Sequence, residues 1–244
     1  MFCYDTPVRG KYGIMIPRIG AIDYKFSGLN LLENGIPWMS ISPNEICTME
    51  QPIAEAFGNV LTLGCGIGYY AYMASLKDNV KSVTIIEKSE KVIDLFQKHL
   101  LPQFEHKDKI KIIQDDALSY MKKLNDDVYD YCFADIWQNN LDAVPYLELK
   151  KTCRKFKSMK ISYWIEDSLV ASMMPFVSFI LLEAFYKSAK IDAHNAKTVM
   201  QQHATEKHVY ILETLEEVLR GKEIKRPEQW DYYMDYRNIM HLLG

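Results

Sequence analysis

The chain has 244 residues, enough to bury one large hydrophobic core. Hydrophobic residues make up 48% of the chain and charged residues 25%, as in soluble globular proteins, so a disordered or fibrous architecture is not expected. The net charge of −3 and the absence of a strongly basic segment argue against nucleic acid as a partner.

The N-terminus and the cysteines predict a cytoplasmic protein. The N-terminus has no apolar segment of the kind that forms a secretory signal, and the five cysteines lack CxxC spacing, which predicts reduced thiols.

Residues 12–42 alternate loosely between apolar and polar, and Asn34-Gly35 favours a hairpin turn. The sequence therefore predicts a small β-rich N-terminal extension over 1–44, followed by a helix over 46–57.

From residue 59 onwards, short apolar runs alternate with amphipathic segments. This alternation predicts a mostly parallel, doubly wound sheet with helices on both faces, a Rossmann-like α/β fold. The predicted strands are 59–64, 80–87, 109–115, 129–136 and 160–167, and the predicted helices are 69–76, 89–100 and 117–124. We take 45–167 as the core domain.

The remaining part, 168–244, is predicted to be a helical C-terminal tail packed on the core. Its most apolar segment, 169–182, is shorter than the ~20 residues that span a bilayer and contains Pro175, so a buried helix is favoured over a membrane helix. The clearest amphipathic segment is 208–221, and no late hairpin is predicted.

The strongest local motif lies where the first predicted strand of the core meets a helix, at Gly64, Gly66 and Gly68. Glycines let the main chain approach a ligand closely. The spacing differs from the G-x-G-x-x-G of dinucleotide-binding proteins, and the bulky Tyr69-Tyr70 pair argues against a pyrophosphate ligand. A tight strand-to-helix turn without a ligand is the alternative.

Carboxylates follow the next three strands at the edge where open α/β sheets bind ligands. Glu87 comes about 20 residues after the last glycine, where a carboxylate can accept both ribose hydroxyls, although it could also be only a charge at the start of a helix. Asp115 and Asp116 follow the third strand and can accept from an adenine amine, or one of them can cap the next helix. Asp135 ends the fourth strand.

These motifs, VLTLGCGIG, IIEKSEKVIDLF, IIQDDALSYM and YDYCFADIW, resemble the class I S-adenosylmethionine-dependent methyltransferases over about residues 45–167. The resemblance implies a transferase that binds S-adenosylmethionine and releases S-adenosylhomocysteine. It implies ribose binding by Glu87 and adenine binding around Asp115, Asp116 and Ala117. The methionine part would contact the turn and Asp135, and the turn residues are Gly64, Cys65, Gly66 and Gly68.

Within the superfamily, the DDA triplet and the upstream LLENGIPWMSISPNE resemble the spermidine synthase branch. Thr62 stands where methyltransferases usually carry an acidic residue, and Ile136-Trp-Gln-Asn-Asn140 stands where polyamine synthases carry a second one. The second of these departures favours methyl transfer to a small molecule over aminopropyl transfer. A third hypothesis is a protein that keeps the fold and has lost the chemistry.

Asp135 is the predicted catalytic base, because it can take a proton from an amine or hydroxyl acceptor. Four further residues are predicted to lie on the substrate side: Trp137, Asn139, Glu50 and Gln51. For Trp137, a packing role in the core is an equal alternative. The scattered histidines predict no metal site. We expect no membrane association, and a homodimer is compatible with the sequence.

Overall fold

A computed structural model of the chain describes residues 2–9, 15–20, 28–33, 35–188, 204–222 and 227–244. Two strand pairs come first, β1 (Phe2–Arg9) with β2 (Met15–Gly20) and β3 (Asn30–Glu33) with β4 (Ile36–Ser40). β3 and β4 are antiparallel and are joined through Gly35, whose φ of 81° suits a tight hairpin turn. The predicted hairpin is confirmed.

The next element is α1 (Pro43–Glu55), which begins a few residues earlier than predicted. Its start is fixed by a capping box: the Ser42 hydroxyl accepts from the Glu45 N–H at 3.3 Å, and the Glu45 carboxylate accepts from the Ser42 N–H at 3.4 Å. Pro43 at the first helical position fits this start because the lost N–H has no helical partner there.

The core is a five-stranded parallel sheet in the order β7-β6-β5-β8-β9. Its strands are β5 (Gly58–Leu63), β6 (Val80–Glu87), β7 (Ile110–Gln114), β8 (Tyr131–Ala134) and β9 (Lys160–Tyr163). The helices between them are α2 (Tyr69–Ser75), α3 (Glu90–Leu95), α4 (Ala117–Lys123) and α5 (Ala143–Cys153). This strand order and direction confirm the predicted Rossmann-like fold.

The central strands are apolar on both faces, as a parallel sheet covered by helices requires. Leu61 and Leu63 of β5 are fully buried, as are Val83 and Ile85 of β6. The third predicted helix, 89–100, is observed as α3 followed by a π-helical turn at Phe96–Leu100. The Phe96 ring of this turn is buried under the start of α2.

In the part of the chain that the structure describes, β9 is followed by the helices α6 (Glu166–Ser188), α7 (Glu206–Leu219), α8 (Pro227–Tyr233) and α9 (Tyr236–Leu243). Among the described residues no strand follows Tyr163. α6 packs against α7 and α9. It is longer than the apolar segment seen in the sequence and is long and apolar enough to cross a membrane by length and composition, while 39% of its most apolar stretch is buried within the protein.

The chain divides into two compact units. One consists of Met1–Val8, Ile16–Gln138 and Thr152–Ile165, and it contains the parallel sheet and the β3–β4 hairpin. The other consists of Arg9–Met15, Asn139–Lys151 and Glu166–Gly244, and it contains the C-terminal helices. All residues of the candidate site below, apart from Asn139, belong to the first unit.

Candidate functional site

Three adjacent strands end at the same edge of the sheet and carry the predicted glycine turn, Glu87 and Asp135. β5 lies between β6 and β8, and the main chain continues these pairings past the strand ends. The N–H of Gly64 donates to Ile86 O at 2.8 Å, and the N–H of Asp135 donates to Leu63 O at 2.9 Å. The topology therefore brings together residues that are far apart in the chain.

The turn needs glycine for its backbone and for its surroundings. Gly64, Gly66 and Gly68 have φ values of 94°, 50° and 78°, which side chains rarely allow. A Cβ on Gly64 would collide with the main-chain oxygen of Asp135, whereas a Cβ on Gly66 would meet only the thioether end of Met39. The close approach at Gly66 is therefore to a flexible group.

Thr62, which replaces the usual methyltransferase acid, serves the turn itself. It is buried in β5, and its hydroxyl donates to Gly64 O at 3.3 Å. A neutral donor at this position stabilises the turn without placing a charge in the sheet. It offers no carboxylate to a ligand amine.

The side chain of Glu87 is directed at the glycine turn. Its Oε2 accepts from the Cys65 N–H at 3.0 Å, and its Oε1 accepts from the Ser89 N–H at 2.8 Å. A carboxylate has about four acceptor positions, so each oxygen retains capacity for a further donor. Glu87 therefore holds the turn and is placed to accept hydroxyl groups from a molecule bound beside it.

Asp115 and Asp116 lie at the end of β7 and are tied to their own segment. Asp116 is exposed and caps α4, since its Oδ1 accepts from the Ser119 N–H at 2.9 Å. Asp115 Oδ1 accepts from the Asp116 N–H at 2.8 Å, and Lys123 lies 3.7 Å from its other oxygen. These contacts support the helix-capping role that the sequence left open for one of the two aspartates, here Asp116. Ala117 is buried at the first position of the helix.

Asp135 is partly buried and chemically unusual. Desolvation of its carboxyl group raises the pKa to about 7, and the nearby negative charge of Glu45 contributes in the same direction. Asp135 is therefore able to exchange a proton near neutral pH, as a general base must.

Sequence reasoning missed Glu45 as a member of this site. Its carboxylate is held by the Ser40 hydroxyl at 3.1 Å and by the Ser42 N–H. The sequence pattern Ser42-x-x-Glu45 identifies a helix start, but it does not show that the start of α1 lies beside the end of β8. The structure thus places a second carboxylate near Asp135, supplied from a different part of the chain than the sequence suggested.

Trp137 is buried, and its indole N–H donates to Trp164 O at 3.1 Å. The indole of Trp164 in turn donates to Thr48 Oγ1 at 2.8 Å, and the Thr48 hydroxyl donates to Glu45 O at 2.7 Å. These bonds join the ends of β8 and β9 to the first turns of α1. They support the packing alternative for Trp137, and they rigidify the surroundings of Asp135.

The other three predicted substrate residues are exposed and make local contacts. Asn139 Oδ1 accepts from the Leu141 N–H at 2.8 Å, and Gln51 Nε2 donates to Glu55 Oε1 at 3.1 Å along α1. Burial raises the pKa of the Tyr69 hydroxyl, with a smaller contribution from the charge of Glu50. None of these contacts connects Asn139, Glu50 or Gln51 to Asp135.

The thiol of Cys65 is not a reactive group in this site. Burial, and to a lesser extent the Glu87 carboxylate, raises its pKa far above the ordinary value, so the sulfur stays protonated. Cys65 acts through its backbone N–H. Within the described ranges, no cluster of His, Cys, Asp or Glu side chains is arranged to hold a metal ion.

The sheet order and the position of the turn define the class: a Rossmann-like α/β protein. No family model matches the chain. No curated protein matches it either.

Solved structures similar to the chain include a spermidine synthase in complex with the transition-state analogue AdoDATO, at 17% identity and a TM-score of 0.42, covering 55% of this chain and 51% of that one. Spermidine synthase from Thermotoga maritima is similar at 15% identity and a TM-score of 0.40, covering 56% of this chain and 52% of that one. A dimethyladenosine transferase from Plasmodium falciparum is similar at 19% identity and a TM-score of 0.33, covering 50% of this chain and 42% of that one. The chain thus spans about half the length of the spermidine synthases.

Proposed function

We propose that the protein is an S-adenosylmethionine-dependent methyltransferase acting on a small molecule. The observation that carries this proposal is the direction of the Glu87 side chain, which leaves the end of β6 and bonds to the glycine turn at the end of β5. The carboxylate accepts from the Ser89 N–H at the start of α3, and its second oxygen reaches back to the Cys65 N–H, a contact that a helix-start role does not require. The two groups that a nucleoside cofactor needs, bare main chain and a carboxylate, are therefore adjacent.

Two features of the turn support this cofactor. The nearest atoms that a Cβ on Gly66 would meet belong to the flexible end of Met39, and the Cys65–Glu87 bond fixes the shape of the turn. Glu87 would accept the ribose hydroxyls, and the segment Asp115–Ala117 would lie on the adenine side. When bound, the sulfonium of S-adenosylmethionine supplies an electrophilic methyl group and leaves as S-adenosylhomocysteine.

Asp135 is the proposed catalytic base. As the amine or hydroxyl of the acceptor forms its bond to the methyl carbon, its proton moves to a carboxylate oxygen of Asp135. A base with a pKa near 7 is half ionised at neutral pH and can both accept that proton and release it to water afterwards. The bonds around Trp137 and Trp164 hold the neighbouring chain in place, which favours a fixed orientation of the acceptor.

Calorimetric titration with S-adenosylhomocysteine tests the cofactor. We expect one molecule to bind per chain with an affinity in the micromolar range, about −8 kcal/mol. Turnover is then tested by incubating the protein with S-adenosylmethionine and pools of small amines and alcohols, with S-adenosylhomocysteine release as the measured product. If neither S-adenosylhomocysteine nor S-adenosylmethionine binds in calorimetry, the proposal is contradicted.

Aminopropyl transfer is a second candidate, favoured by one observation. The sequence after Asp135 lacks the second acidic residue of polyamine synthases, but Glu45 brings a carboxylate close to Asp135 from α1. Two carboxylates suit a cationic amine substrate. Incubation with decarboxylated S-adenosylmethionine and a diamine should then release methylthioadenosine, and absence of that product while S-adenosylhomocysteine binds would favour methyl transfer.

We further propose a cytoplasmic location and a small-molecule substrate, with a homodimer as the oligomeric state to be tested. Cell fractionation checks the first, and recovery in the membrane fraction would point instead to a membrane role for α6. Light scattering after size-exclusion chromatography measures the oligomeric state directly.

A further inference from the structure

The β3–β4 hairpin places one side chain directly on the glycine turn. A Cβ built on Gly66 would meet Sδ and then Cε of Met39, so the terminal CH₂–S–CH₃ group of Met39 occupies the space beside Gly66. Met39 itself is partly buried. The face of Gly66 that could receive a ligand is therefore covered by a side chain of the same protein.

The hairpin is built to direct Met39 to this place. The pairing of β3 with β4 is irregular between Leu31 and Leu32, opposite Met39, and an irregularity of this kind re-aims side chains. The next residue, Ser40, donates its hydroxyl to Glu45 at 3.1 Å, which fixes the end of β4 to α1. The strand irregularity and the Ser40–Glu45 bond thus help to set the position of Met39 over the turn.

The rest of the hairpin is weakly held. Leu32 and Trp38 are 56% and 48% exposed, and within the described residues the two strands contact each other far more than any other element. Few buried apolar contacts mean that local opening costs little. Met39 can therefore leave the turn without unfolding the sheet.

The three glycines of the turn differ in what surrounds them. The space at Gly64 is closed by the main-chain oxygen of Asp135, and the space at Gly68 is closed by the buried ring of Phe96. Both groups are fixed by the core. Of the three, only the neighbour of Gly66 is the end of a flexible side chain, because methionine has three rotatable side-chain bonds.

We propose that Met39 occupies the position on Gly66 that the sulfur-bearing chain of the cofactor takes, so that binding requires its displacement. This inference rests on the proposed function and adds a residue that controls access to the site. The chemistry supports it, because the thioether of Met39 and the methionine part of S-adenosylhomocysteine present the same CH₂–S group to the same main chain. Met39 thus competes with the ligand from within the protein.

The decisive comparison is between Met39→Ala and Met39→Leu. Alanine removes the competing group, and we expect S-adenosylhomocysteine to bind about fivefold to tenfold more tightly in calorimetry, since each buried methylene group corresponds to roughly a fourfold change in affinity. Leucine keeps most of the volume, and its affinity should stay within about twofold of the natural protein. Equal or weaker binding by Met39→Ala would overturn the inference.

A measurement without ligand separates this inference from the proposed function. In the free protein, amide hydrogen exchange over residues 64–68 should be faster in Met39→Ala than in the natural protein and in Met39→Leu, because the turn loses its cover. Absence of S-adenosylhomocysteine binding in all three proteins would overturn the proposed function and this inference together. Binding with equal affinity and unchanged exchange would overturn this inference alone.

Discussion

The inner strands and the edge strand of the sheet use their terminal carboxylates differently. Glu87 and Asp135 follow strands that flank β5. The Glu87 carboxylate bonds to the glycine turn, and the main-chain oxygen of Asp135 lies against Gly64. Asp115 and Asp116 follow the edge strand β7, and their contacts run to the start of α4 and, for Asp115, to Lys123 at its last position. The end of an inner strand has neighbouring strand ends on both sides, to which a carboxylate can form hydrogen bonds.

The edge strand has a neighbour on one side only, so its carboxylates are more exposed and serve the helix that follows. A carboxylate after a strand is therefore weak evidence of a ligand site until the position of that strand in the sheet is known. The comparison predicts that changes at Asp135 and Glu87 affect chemistry and binding, whereas changes at Asp116 affect mainly stability.

Asp135→Asn should have the largest effect. The amide cannot accept a proton, so we expect kcat to fall by about 10²-fold to 10⁴-fold, while binding of S-adenosylhomocysteine is nearly retained. In the natural protein, kcat should rise with pH through about 7, because the carboxyl group must be ionised to act as a base. Activity of Asp135→Asn at the natural level would refute the role of Asp135.

The same substitution should stabilise the protein at high pH. Because the folded-state pKa is raised to about 7 from an ordinary value near ~3.9, ionisation of Asp135 destabilises the folded state as the pH rises through that interval. We expect Asp135→Asn to gain about 1–3 kcal/mol in free energy of unfolding at pH 8, and nothing near pH 3. Urea unfolding at the two pH values measures this, with the exposed Asp94→Asn as the control.

Glu87→Gln should have the next largest effect, on binding. The amide oxygen can still accept from the Cys65 N–H, but the charge that strengthens hydrogen bonds to hydroxyl groups is lost, so affinity for S-adenosylhomocysteine should fall about tenfold. Glu90→Gln, at the exposed start of α3, is the matched control and should bind as the natural protein does. A change of less than twofold at Glu87 would break the distinction between inner and edge strands.

Asp116→Ala should act mainly on stability. Loss of the helix cap costs about 1 kcal/mol of unfolding free energy, whereas Asp116→Asn keeps an acceptor for the Ser119 N–H and should cost little. Both variants should bind S-adenosylhomocysteine more tightly than Glu87→Gln does. The reverse order would show that the edge strand contributes the stronger ligand contact.

Tyr70→Phe should have the smallest effect, in the stabilising direction. Tyr70 stacks on Phe133 with ring centroids 4.1 Å apart, and its buried hydroxyl has no hydrogen-bond partner among the described residues. Removing that hydroxyl should raise the free energy of unfolding by about 1 kcal/mol. Tyr131→Phe is the control: its hydroxyl donates to Ser162 at 2.6 Å, so its loss should destabilise.

The periodicity of apolar residues and the positions of glycine in turns predicted the parallel sheet and the hairpin. The alternation of apolar runs and amphipathic segments gave every strand of the parallel sheet to within a few residues, because burial on both faces leaves a continuous apolar run in the sequence. The hairpin at Gly35 followed from its turn residues. The strand ends were predicted less well: the last strand, predicted over 160–167, ends at Tyr163, because Ile165 takes a positive φ and the chain turns into α6.

The sequence by itself therefore determined the order along the chain of the strands in the parallel sheet, the class of fold and the residues that stand at the strand ends, whereas it missed α5. Only the tertiary structure decided which of these residues meet: Glu45 near Asp135, Trp137 bonded to Trp164, and Met39 over Gly66. The physical reason is that repeat patterns record how a residue is buried within its own element. Contacts between distant segments depend on how whole elements pack, and no local pattern encodes them.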